Sequence, residues 1–168
     1  GYTFIMNTPG PAAINQFLYR KMPFEQDPLV PVSFVVRVPN VLMVNPDRVK
    51  ARNLADFVAE LKANRGKYSY GSPGNGSTGH LSTELFKSLA GVEVAHVPYR
   101  GSAPMLLDLV GGNIQMAIDN LPSAMAHIKG GKVIALGVTS SSKVASLPEV
   151  PPIPSAVPGY EAESWFGL

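Results

Sequence analysis

The stretch YSYGSPGNGSTGHLSTELFKSL, residues 68–89, carries the densest chemistry in the chain. Ser72, Gly74, Asn75, Gly76, Ser77 and Thr78 combine a pliable backbone with hydroxyl and amide groups, and His80 follows within one helical turn. The spacing predicts a short strand, a glycine-rich loop and an amphipathic helix. A helix that opens off such a loop presents unpaired N–H groups and the positive end of its dipole, which suits a carboxylate or a phosphate. Two further clusters, Tyr99-Arg100-Gly101-Ser102 and Asp119-Asn120, also follow strand-like runs. In an open α/β sheet, ligands bind at the carboxyl ends of the strands, so the three clusters converge on one rim if their strands are neighbours.

Other chemistries compete for these residues. Gly74-x-Gly76-x-x-Gly79 matches the dinucleotide fingerprint, with Arg100 about twenty residues on, where an arginine can take a 2′-phosphate. An NAD(P)-dependent enzyme that uses this stretch as a pyrophosphate loop is therefore the alternative function. Against it, Gly71-Ser72-Pro73 separates the strand from the first glycine, and the KYSYG strand is polar for that role. A hydrolase would pair Ser77 or Ser82 with His80 or His96 and Asp119, but no G-x-S-x-G elbow exists and no catalytic residue is assigned. Metal-ligand spacing is lacking as well, so neither a metal nor a cofactor is expected. His80 either lines the cleft or is a partly exposed helix histidine; His96 reads as a packed residue and His127 as a surface one. Arg100 either clamps a ligand or neutralises a helix terminus. Asp119 accepts from a ligand hydroxyl or amine, or else caps the next helix, and Asn120 suits either role.

The elements that must position these residues follow from pattern. Residues 2–6 and 32–38 are strand-like, residues 12–20 form a short helix with Ala13, Phe17 and Leu18 inward, and 21–31 is a connection. Residues 41–44 form another extended run. Asn53 caps a helix over 54–64, with Leu54, Phe57, Val58 and Leu61 on one face and Gly66 as the stop. Then strands at 67–71, 92–97, 114–118 and 133–139 alternate with helices at 77–89, 102–110 and 122–129. Leu81, Leu85, Phe86 and Leu89 are expected inward on the first of these helices, and Met105, Leu106 and Leu109 on the second. Residues 140–147 read as a short helical segment, 148–158 as a proline-rich extended tail and 160–166 as a last strand. The alternation specifies an α/β fold with a doubly wound, mostly parallel sheet and helices on both faces. The expected division is 1–45 as a first-lobe remnant and crossover strand, 46–140 as a complete second lobe, and 141–168 as a return segment.

Composition narrows the function. The 168 residues carry a net charge of +2 with scattered Lys and Arg, which argues against nucleic acid as a partner. There are no cysteines, which removes disulfides, thiolate metal sites and cysteine nucleophiles. No apolar run approaches the roughly 18–20 residues of a membrane span. The abrupt apolar ends, Gly1-Tyr2 and Trp165-Phe166-Gly167-Leu168, read as cuts from a longer protein.

Together YGSPGNGSTGHL (70–81), ELFKSLAGVEVAHVPYRGSAPMLLDLVGG (84–112), IQMAIDNLPSAMAHIKGGKVIALGVTS (114–140) and PGYEAESWFGL (158–168) resemble the Bug family. These are TctC-type periplasmic substrate-binding proteins of tripartite tricarboxylate transporters. The resemblance implies a type II periplasmic-binding-protein fold, two lobes closing like a Venus flytrap on a small carboxylate. It implies no enzyme activity, a membrane permease as partner and a periplasmic location. It also places ligand contacts at 72–80, at 99–102 and near Asp119. A further loop at 8–12 would carry Thr8, although TPGPAA departs there from the family's Gly-Thr-rich turn. Family members are roughly twice this length, so the chain is expected to bind weakly or not at all. Its unpaired first-lobe strands, 2–6 and 161–166, are expected to promote self-association. Which carboxylate is bound is not legible.

Overall fold

The computed structural model describes residues 3–21 and 30–168, so the expectations for Gly1, Tyr2 and most of the 21–31 connection lie outside the described residues. Its strands are β1 (Phe34–Val38), β2 (Asn40–Val44), β3 (Ser69–Ser72), β4 (Ala95–Pro98), β5 (Met116–Asn120), β6 (Ile134–Val138) and β7 (Ser164–Gly167). The helices are α1 (Asn15–Leu18), α2 (Leu54–Ala63), α3 (Thr78–Ala90), α4 (Ser102–Gly111) and α5 (Leu121–Lys129). No described helix is long and apolar enough to cross a membrane.

Local chemistry sets the helix limits. The Asn53 side chain accepts the Asp56 N–H at 2.9 Å and opens α2. Ser77, in extended conformation, does the same for α3 by accepting the His80 N–H at 3.2 Å. Gly91 then stops α3 with a left-handed φ of 65°, a conformation that a glycine adopts without a Cβ penalty.

The main sheet has the order β4-β3-β5-β2-β6. β3 pairs in parallel with β4 and β5, while β2 runs antiparallel to β5 and β6. The mostly parallel expectation holds, with β2 as the antiparallel exception. Sheet membership changes at Pro39, so residues 41–44, expected on the first-lobe side, lie inside the larger sheet. Every residue of β2 is buried, as a strand covered on both faces must be. Alternate side chains serve the two cores. Leu42 and Val44 pack with Phe57, Leu61, Tyr70, Phe86, Met116 and Ile118 on the α2/α3 face. Val41 and Met43 pack with Met105, Leu106, Leu109, Leu121 and Ala124 on the α4/α5 face.

Several expectations are corrected. Residues 3–6 are not a buried strand: Phe4, Ile5 and Met6 are exposed, and Asn7 alone bridges to Gly167. Their β-branched and aromatic content favours extension, but among the described residues this segment meets a strand, β7, at the single bridge Asn7↔Gly167. The helix expected over 12–20 instead begins at the prolines as a π-turn, Gly10–Ile14, and ends at Leu18. Proline lacks an N–H and so suits a helix's first turn. Ala13, Phe17 and Leu18 are exposed rather than inward. On α3 the buried residues are Gly79, Ser82, Thr83, Phe86 and Ala90, while Leu89 is 43% exposed. Small residues let this face sit close to the sheet, and their hydroxyls are satisfied: Thr83 donates to Gly79 O at 2.8 Å and Ser82 accepts from Asn40 Nδ2 at 3.2 Å. Leu85 is partly buried and packs against the core on this face, as expected, while Leu81 lines a cleft with Pro9, Ile14 and Ala162.

Residues 140–147 form bends and turns rather than a helix. The proline-rich tail is not free: Val138 N–H donates to Pro151 O at 3.0 Å, and a short 3₁₀ turn, Ile153–Ser155, buries Ile153 completely. The last strand, β7, pairs antiparallel with β1 in a separate two-stranded sheet.

Candidate anion-binding rim

Because β4, β3 and β5 are adjacent, the loops that leave their carboxyl ends share one rim. Ser72 ends β3, and the glycine loop turns through Gly74 at φ 144° and Gly76 at φ 76°, backbone that other residues rarely adopt. Ser77 Oγ donates to Gly74 O at 2.7 Å and closes the loop on itself. The loop is tied to its neighbour by Tyr99 N–H to Ser72 O and Gly101 N–H to Pro73 O, both at 3.0 Å. A Cβ on Gly79 would lie 2.3 Å from Ile118 O, so α3 opens directly against β5. Helix α4 opens beside it at Ser102. First-turn amides of both helices have no acceptor four residues back and point their dipoles at the same rim.

Behind the loop stands a column of rings. His80 stacks on His96 at 4.4 Å and 18°, and His96 stacks on Tyr70 at 4.7 Å and 17°. Lys87 Nζ lies 5.3 Å from the centre of the Tyr70 ring. His80 Nδ1 accepts the Gly76 N–H at 3.1 Å, and His96 Nε2 is 2.7 Å from Ser72 Oγ, which in turn is 3.3 Å from the Gly74 amide. Burial holds both imidazoles below the usual histidine range; for His96 the neighbouring His80 adds to it, and for His80 the Lys87 charge does. Tyr70 donates to Glu84 Oε1 at 2.5 Å and Lys87 pairs with it at 2.7 Å. Burial alone would push the Glu84 carboxyl up; these two partners bring it below its ordinary value.

Asp119, 1% exposed, sits at the end of β5, where the Ser102 side chain and the Asn120 amide favour its charged form. Burial outweighs both and pushes this carboxyl up. Asp119 Oδ2, Asn120 Oδ1 and Asn40 Oδ1 are buried acceptors with no partner among the described residues. Asn120 occupies the cap position of α5 without a side-chain cap bond, and Asp119 belongs to the strand, so neither side chain caps that helix.

The structure thus brings Ser72, Gly74, Gly76, Ser77, Thr78, His80, Gly101, Ser102 and Asp119 to one rim, with exposed Asn75 at the loop tip. The Tyr99 hydroxyl is committed elsewhere: it donates to Asp108 Oδ2 at 2.7 Å, and burial pushes it up to about 12. Arg100 is exposed and forms no ion pair among the described residues. Thr8 is half-buried, and its turn meets the loop from outside, since a Cβ on Gly10 would lie 3.1 Å from Gly76 O. Sequence reasoning took His96 as packed and missed its bond to Ser72. A histidine two residues before the end of a strand that neighbours the loop was the available clue. No group of metal-ligating side chains is found among the described residues.

The family description "Tripartite tricarboxylate transporter family receptor" (TctC) matches residues 1–168. The chain belongs to the TctC family. It is 39% identical, over its whole length, to a UPF0065 protein encoded in the tcbD–tcbE intergenic region of a Pseudomonas species, of which it covers 50%. Among solved structures, an R. palustris protein with adipate superposes with a TM-score of 0.94 at 43% identity, over 99% of this chain and 56% of that one. The periplasmic binding protein BugD gives 0.86 at 28% identity, over 96% of this chain and 54% of that one. This TctC chain therefore spans about half the length of the relatives it matches.

Proposed function

We propose that this TctC chain forms about half of a periplasmic solute-binding protein that captures a small carboxylate and presents it to a transporter permease, without catalysing a reaction. The rim itself carries the reading: two helix N-termini open onto the glycine loop where β3, β4 and β5 end side by side. The relative solved with adipate has the same fold over 99% of this chain. A dinucleotide is disfavoured by Gly71-Ser72-Pro73: Ser72 belongs to the buried strand, and Pro73 and Gly74 are spent bonding Gly101 and Ser77 rather than turning directly into the helix.

The rim is one side of a cleft, so the chain by itself takes carboxylates weakly. A thermal-shift screen of dicarboxylates, aromatic acids, amino acids and NADP⁺ tests the class, since ligand at about one hundred times Kd stabilises by about 2.7 kcal/mol. Carboxylates alone are expected to raise the Tm; a rise with NADP⁺ alone would replace this reading with the dinucleotide one. Exposed Phe4, Ile5, Met6, Val32, Phe34, Val35 and Val36 form an apolar surface near the β1–β7 sheet, which favours self-association of the isolated chain. Sedimentation velocity is expected to show a coefficient that rises with concentration; a constant monomer value would contradict it.

A further inference from the structure

We propose that His80 and His96 together are an acid-sensitive latch that holds the glycine loop in its anion-receiving form: His80 grips the Gly76 amide directly, and His96 grips the Gly74 end through Ser72. The inference rests on the anion-site reading only for the purpose of the loop; the latch itself is a property of the unliganded chain.

The chemistry of the two rings differs. An N–H donor faces His80 Nδ1 at 3.1 Å, so that nitrogen must be unprotonated and the ring neutral. A proton placed there sets two N–H groups against each other, and Gly76 loses its acceptor. His96 has no such conflict, because the hydroxyl of Ser72 at 2.7 Å can either donate or accept. Its part is to stack at 4.4 Å on His80, so that a charge on either ring opposes a charge on the other. Tyr70 backs the column, and its hydroxyl is engaged by Glu84.

The charged groups around the pair are Glu84 and Lys87, both on α3. Glu84 favours protonation and Lys87 opposes it; their mutual ion pair at 2.7 Å blunts both. Burial is the larger influence, and it keeps both rings neutral below the usual histidine range. The sign follows. With the folded-state value depressed, the closed loop is unaffected above about pH 6.5 and is progressively penalised as pH falls below it, by about tenfold in population for each unit of depression.

The test is NMR on ¹⁵N-labelled chain without ligand, following the His80 and His96 rings and the hydrogen-exchange protection of the Gly76 amide between about pH 8 and pH 5. Protection of Gly76 is expected to fall as pH drops below about 6.5 and to level off once the His80 ring is protonated. His80→Phe keeps an aromatic ring in the stack but removes the acceptor, so Gly76 is expected to be poorly protected at every pH. In the same variant the His96 midpoint is expected to move up, because the neighbouring His80 charge no longer opposes it. Gly76 protection that stays constant while the His80 ring titrates, or that goes on falling after the ring is fully protonated, would overturn the proposal. Should His80→Phe fail to fold, the wild-type titration still decides. Adipate titrations at both ends of the range separate the two claims: a pH-dependent loop in a protein that ignores adipate leaves the latch standing and removes the carboxylate reading.

Discussion

Gly79→Ala is expected to destabilise the chain by about 3 kcal/mol, a large effect for adding one methyl group. The new Cβ would stand 2.3 Å from Ile118 O and 3.1 Å from Pro73 Cδ. The first obstacle is backbone in the middle strand of the main sheet, which cannot rotate away as a side chain can. Helix α3 must therefore lift off β5 at the end where its amides face the rim. Urea denaturation gives the magnitude, with Gly111→Ala as the comparison. Gly111 lies in α4 without positive φ, and its nearest neighbour would be a side-chain nitrogen at 3.7 Å, so alanine there is expected to be neutral or mildly stabilising. Equal stability of the two variants would show that α3 does not approach the sheet as described.

Phe86→Ala is expected to cost about 4 kcal/mol, at the other end of the same helix. Phe86 is fully buried in the core with Phe57, Tyr70, Met116 and Ile118, and its removal leaves a void that those side chains cannot close. Leu89→Ala, three residues on, is expected to change stability by no more than about 0.5 kcal/mol, because Leu89 is 43% exposed. Simple hydrophobic spacing puts both residues inward. Chemical denaturation of the pair therefore separates the face that α3 actually buries, 79-82-83-86-90, from the face its leucines suggest. Equal losses at Phe86 and Leu89 would restore the leucine face.

The contrast on α3 shows where the sequence was legible and where it was not. Asn53, Ser77 and Gly91 punctuate their helices as their side chains and backbone freedom require, so the βα rhythm could be read directly, although α2 closes at Asn64 and Gly66 turns the chain only two residues later. Met105, Leu106 and Leu109 were legible too, because α4 packs by apolar periodicity alone. On α3, close approach is achieved with glycine, serine and threonine, whose burial no hydrophobicity pattern reports. The direction of β2 was hidden for a different reason. Its apolar run suits a buried strand of either sense, and only its pairing with β5 and β6 shows it to be antiparallel.

The rim was legible as three loops after three strands, since adjacency of β4, β3 and β5 is what a right-handed βαβ path produces. The roles of single side chains were less so. Tyr99 stood in the right loop, yet its hydroxyl is taken by Asp108 nine residues along the chain, one helical stretch away. The bond from Gly76 to His80 was invisible because backbone amides leave no trace in residue types. Asp119 looked out of place in an anion site. It is buried at the end of β5, and burial pushes its carboxyl up.

Isothermal titration calorimetry with adipate and with NADP⁺ bears most directly on carboxylate capture at this rim. It is best run on the 168-residue chain and on a chimera in which the chain replaces its counterpart in the adipate-bound R. palustris relative, where that counterpart is 56% of the protein. The chimera is expected to give saturable heat with adipate or another small carboxylate and none with NADP⁺, while the chain alone binds the same carboxylate at least about a hundredfold more weakly, a difference of about 2.7 kcal/mol. Saturable binding of NADP⁺, with no carboxylate bound by either protein, would contradict it.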